Sequence, residues 1–189
     1  YSNGGKSGIV IKDLTLKDVA ISTTAYPGVG AFISAVDAIT KVELTNCHVD
    51  GGSISGTGTS NVSTNVGGLI GYTAGYAADD PLPVTITNCS VTDCTISGDG
   101  SVGGLIGHAG GNTWTYTTIV DCTVTGCTLS SSNSSDWRVG DLVGTAGVGQ
   151  VTVDQATVDH TTGNDRAQAS GTGSAIENGL VGRAVLGGT

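Results

Sequence analysis

The chain has 189 residues, of which 38% are hydrophobic, 12% charged and 4% aromatic, with 32 glycines, a balance that argues against both a disordered chain and a helix-rich one. Sixteen acidic against seven basic residues leave a net charge of −9 with no Lys/Arg cluster. That argues against nucleic acid or an anionic membrane as a partner, and no run of about 18 apolar residues is present to span a bilayer as a helix.

The first readable segment, Ile9–Leu16, alternates apolar and polar residues as a half-buried strand does. A short phrase at Val29–Ile33 follows, and then the alternation returns at Val42–Val49 as Val-Glu-Leu-Thr-Asn-Cys-His-Val. Next comes Val66–Gly71, Val-Gly-Gly-Leu-Ile-Gly. From there the two phrases take turns: Val84–Val91, Val102–Gly107, Thr117–Val124, Val139–Gly144, Val151–Val158 and a last fragment at Gly179–Gly182. The valines at 29, 66, 102 and 139 step by 37, 36 and 37 residues. A two-part unit of that period is the mark of a solenoid, here all-β, of about five coils in one domain over residues 1–189. Residues 72–83, with Pro81 and Pro83, read as an insertion loop.

Within each alternating phrase the parity slips once, at Thr87–Asn88 in the third copy, which is what a corner requires. A third run, Cys94–Ile96, matches Cys127–Leu129 and Ile54. Stacked coils bring equivalent residues to about 4.8 Å spacing, so columns can be named. Asp13, Asn46, Asn88, Asp121 and Gln155 form a corner ladder whose amides bond along the stack. Leu14, Cys47, Cys89, Cys122 and Ala156 form an inward column, and Leu16, Val49, Val91, Val124 and Val158 another. The motif glycines Gly67, Gly103 and Gly140, and Gly71, Gly107, Gly144 and Gly182, mark corners that need positive φ or close backbone approach.

The Val-Gly-Gly-Leu-Ile-Gly phrases resemble the GLUG motif of repeat regions in bacterial surface proteins, among them adhesins and the non-catalytic parts of immunoglobulin A-cleaving metalloproteases. The resemblance implies a parallel β-solenoid, a right-handed β-helix, with a stalk or adhesive role and no catalytic residues to carry over. The copies at Val29 and Gly179 depart from the glycine pattern and read as decayed or edge coils.

Five cysteines lack any CxxC spacing. Two readings stay open: two interior columns of buried thiols, or rung-to-rung disulfides such as Cys89–Cys122 or Cys94–Cys127. His48, His108 and His160 fall at different coil positions and form no ligand cluster, so all three read as surface histidines, and no metal or cofactor is expected. Asp121 with Asp154 is the nearest carboxylate pair for a polysaccharide lyase or glycosidase, but no basic residue accompanies it. Asp79-Asp80 in the insertion is a weak calcium candidate. The outward threonines are interrupted by Glu43, Val120 and Asp154, which argues against an ice-binding array. Sequons at Asn61, Asn88 and Asn133 matter only in a eukaryotic source, where Asn61 and Asn133 are the good acceptors.

The reading is a non-catalytic structural or adhesive segment of a longer extracellular, cell-surface protein. Its expected partners are flanking repeats or copies of itself stacked end to end, and a host protein or glycan. Two alternatives stand beside it: a protomer or segment of an extracellular filament, and a carbohydrate-active β-helix enzyme.

Overall fold

The computed structural model describes residues 8–24, 27–37, 41–59, 62–74, 81–110, 114–132, 139–147, 150–158 and 181–184. They form a parallel β-solenoid. The first coil is β1 (Ile9–Thr23), β2 (Gly28–Val29) and β3 (Ile33–Asp37); the second is β4 (Val42–Gly56), β5 (Asn65–Gly67) and β6 (Ile70–Ala74). In the third and fourth coils the long strand is split in two. The third has β7 (Leu82–Thr87), β8 (Ser90–Gly98), β9 (Val102–Gly103) and β10 (Ile106–Ala109). The fourth has β11 (Thr115–Thr125), β12 (Thr128–Ser131), β13 (Val139–Gly140) and β14 (Val143–Ala146). Beyond these four coils, β15 (Gln150–Val158) and β16 (Val181–Ala184) each add one more rung. The stack is therefore about four full turns rather than five.

The coils align into three sheets of seven, four and five strands, and every pairing between these strands is parallel. A chain that winds returns to each sheet in the same direction, so no helical crossover is needed to make neighbours parallel. The valine column read from sequence is observed, Leu16↔Val49↔Val91↔Val124↔Val158, and beside it runs a further inward column, Ile11↔Leu44↔Ile86↔Ile119↔Val153. Val49 and Val91 are 0% exposed and Val124 3%.

The adjacent apolar pairs of the glycine-rich phrase both turn inward. Leu69, Ile70, Leu105, Ile106, Leu142 and Val143 are all fully buried. A straight strand would put one member of each pair outside; the chain instead breaks between the second and third sheets at 68–69, 104–105 and 141–142. Tyr72–Ala74 belong to β6 and Leu82–Pro83 to β7, so the segment between strands is shorter than the 72–83 read from the prolines, and its residues 75–80 lie outside the described residues.

Candidate functional site

The corners carry most of the repeated chemistry. Every residue of the first corner column takes a left-handed backbone: Asp13, Asn46, Asn88, Asp121 and Gln155 have φ between 51° and 56°. Asp and Asn tolerate that region better than other side chains, which explains the column's composition. Along it, the Asn46 amide Nδ2 donates to Asp13 Oδ1 at 2.7 Å, and the Asn88 Nδ2 donates to Asn46 Oδ1 at 3.2 Å. Asn46 Oδ1 also takes His48 Nε2 at 2.9 Å, while His48 Nδ1 lies 2.8 Å from the Ser90 hydroxyl. An amide oxygen only accepts, so Nε2 carries the proton and Nδ1 is free to accept from Ser90. His48 is thus half-buried and tied into the ladder, not a plain surface histidine.

A second left-handed corner sits five residues on. Its column is Asp18 (φ 49°), Gly51 (φ 80°), Asp93 (φ 52°) and Gly126 (φ 64°). Aspartate and glycine alternate, and the alternation is steric. A Cβ at Gly126 would stand 2.0 Å from Asp93 Oδ1, and one at Gly51 would stand 3.0 Å from Asp18 Oδ1. Each carboxylate occupies the space that the next rung's glycine leaves open. The sequence reading missed this corner, although Asp18, Gly51, Asp93 and Gly126 each stand five residues after a ladder residue.

All five cysteines are buried thiols. Each follows a corner residue, and each sulfur reaches the carbonyl two residues earlier. Cys47 reaches Thr45 at 3.4 Å, Cys89 reaches Thr87 at 3.3 Å, Cys94 reaches Thr92 at 3.2 Å, Cys122 reaches Val120 at 3.2 Å and Cys127 reaches Thr125 at 3.3 Å. The thiol is small enough for the interior and donates a weak hydrogen bond across the bend. Hydrogen bonding to Cys122 and then burial push the Cys89 thiol well above its ordinary range; Cys127 and burial do the same to Cys94. The hydrogen bond with Cys89 draws its partner Cys122 the other way, below the ordinary thiol range.

The motif glycines solve a different problem. None of Gly67, Gly71, Gly103, Gly107 or Gly144 has positive φ; close approach is what each requires. A Cβ at Gly67 would meet Ile70 O at 2.0 Å, and one at Gly103 would meet Ile106 O at 2.0 Å. Gly30 holds the same position in the first coil, where a Cβ would meet Ile33 O at 2.6 Å, so that coil keeps its corner glycine. The second motif glycine makes room for the valine column, since a Cβ at Gly68 or Gly104 would stand 2.7 Å from Val91 or Val124. Gly140 is buried in β13, and Gly182 lies in β16.

On the outer side, Ser22, Ser55, Ser97 and Ser130 align in register along a shallow groove of about 390 Å³. Asp121 and Asp154 are both exposed, on adjacent rungs of the corner edge rather than in that groove. Among the described residues no group of three or more His, Cys, Asp or Glu side chains is arranged to hold a metal ion. Ion pairs sit on the surface: Lys17 with Asp50 at 3.4 Å, and Lys41 with Glu43 at 2.8 Å, where the ammonium holds the Glu43 carboxyl below the usual range. Asn61, Asp79, Asp80, Asn133 and His160 lie outside the described residues.

These features define a class first: a parallel β-solenoid whose repeated side chains build corners and core. Within it, the family model of the GLUG motif matches residues 62–99 and 98–130. Each match spans one coil, beginning before the glycine-rich corner and ending in the strands of the first sheet. No curated protein and no solved structure matches the chain significantly.

Proposed function

We propose that the chain is a non-catalytic repeat segment of an extracellular surface protein, serving as a stalk or spacer that presents its outer faces to a host protein or glycan. One observation carries this reading. The six residues of each full motif copy, Val66–Gly71 and Val102–Gly107, are all buried. The residues that recur from coil to coil therefore maintain the winding, while an outward column changes from Lys12 through Thr45, Thr87 and Val120 to Asp154. A surface built that way holds a shape while tolerating change in what it displays.

Two measurements test the reading. Antibody raised against the chain is expected to label intact cells of the source organism; labelling only after lysis would contradict it. Incubation with pectate, alginate or hyaluronan is expected to release no unsaturated products. Turnover that disappears in Asp121→Ala or Asp154→Ala, with the fold retained, would make the chain a carbohydrate-active enzyme instead.

A further inference from the structure

The two ends of the described stack expose the columns that its middle seals. Ile9, Ile11 and Leu16 are half-buried and Leu14 is 42% exposed, whereas their neighbours one rung on, Val42, Leu44, Val49 and Cys47, are 0% exposed. At the other end Val151, Val153, Ala156 and Val158 are half-buried against a sealed rung of Thr117, Ile119, Cys122 and Val124. Among the described residues β1 pairs only with β4 and β15 only with β11, so each keeps one edge that no strand covers.

The polar columns state what fits those edges. One column runs Lys12, Thr45, Thr87, Val120, Asp154, with a cation at one end and a carboxylate at the other. The next runs from Asp13 to Gln155 and ends in a carboxylate and an amide. That is the same pairing as Asn46 on Asp13 inside the stack. The inward column ends in Leu14 at one side and Ala156 at the other, a large side chain opposite a small one. A further rung beyond β15, wound in the same sense, occupies the place that β1 of a second copy would take. In the third sheet β16 and β3 are likewise the two terminal strands.

We propose that a second copy of this chain docks head to tail, the β15 edge of one copy pairing in parallel and in register with the β1 edge of the next. Asp154 then stands against Lys12, the Gln155 amide bonds Asp13, and Ala156 receives Leu14. The contact uses different surfaces on the two copies, a β15 edge on one and a β1 edge on the other, so it repeats into a filament instead of closing on itself. This goes beyond the reading as a surface segment.

Sedimentation velocity over a concentration series tests it on four forms of the chain: unaltered, Lys12→Asp, Asp154→Lys and the double variant. Lys12 and Asp154 are exposed, so the fold is retained in each. The unaltered chain is expected to show mass rising with concentration. Each single reversal places like charges opposite each other and weakens association about tenfold or more. The double variant restores it, and so does an equimolar mixture of the two single variants, which alternate along the filament. Three results would overturn the proposal: an unaltered chain that stays monomeric throughout, association indifferent to either reversal, or a loss that neither the double variant nor the mixture recovers. Association driven by antiparallel β1–β1 pairing would be indifferent to Asp154→Lys, the second of these results.

Discussion

At a corner the backbone must turn while the side chains on either side stay inside, and one residue in a left-handed conformation achieves that. Asn88 has φ 51° and donates its amide to Asn46. Asn88→Gly keeps the backbone at ease and loses one exposed hydrogen bond, so a change below about 1 kcal/mol is expected. Asn88→Val forces a β-branched residue into the same conformation, and about 2 kcal/mol or more should be lost. Urea denaturation of the two variants distinguishes them, and equal costs would mean that the conformation is not what selects Asn. Three residues on, Val91 lies against the Gly68 backbone and between Val49 and Val124. Val91→Asp buries an unpaired carboxylate in that column and is expected to cost about 3–5 kcal/mol. The first corner was legible in the sequence because the apolar parity slips at a residue type that tolerates positive φ. The second was not, because Asp18, Gly51, Asp93 and Gly126 share a conformation without sharing a side chain. The glycines were legible as corners, yet only the packed backbone decides between positive φ and close approach.

At the scale of the elements, the cysteine columns join neighbouring rungs through carbonyl hydrogen bonds and packing. Reducing agent is therefore expected to leave the melting temperature nearly unchanged, and mass spectrometry should find five thiols after denaturation. A large drop in melting temperature under reductant, or a Cys89–Cys122 link, would show oxidised rungs instead. The columns also set a pH dependence. The Cys47, Cys89 and Cys94 thiols are held above the ordinary value of 9.0, Cys47 chiefly by burial and the other two chiefly by a neighbouring thiol. The unfolded chain releases these protons near its ordinary thiol range while the folded chain retains them. The stability these thiols contribute is therefore present below about pH 8.5 and falls as the pH rises above it, offset in part by Cys122, which its hydrogen bond to Cys89 draws the other way. Cys47→Ala, which removes the thiol raised chiefly by burial, should flatten that alkaline slope; an unchanged slope would assign it to other groups. The alternation of strands was legible because period-2 patterning persists through four copies. The count of coils was overdrawn because the Gly179 fragment supplies one strand, β16, and not a described coil.

The whole molecule shows why architecture was easier to read than action. Repetition makes each structural residue visible several times, at Val49, Val91 and Val124 or at Gly67 and Gly103. An outward residue such as Glu43 occurs once, opposite Thr85 in the next rung, and no column amplifies it. Function on a solenoid belongs to such unrepeated positions and to the ends, where Lys12 and Asp154 gain meaning only once the register places them in one column. That register fixes every column of the stack, and methyl-resolved nuclear Overhauser spectroscopy of valine-labelled protein tests it directly. Val91 is expected to show contacts to both Val49 and Val124, 42 and 33 residues away, and Val49 none to Val124. Val91 without contact to Val124, or in contact with residues of a different column, would contradict the stacked-coil account.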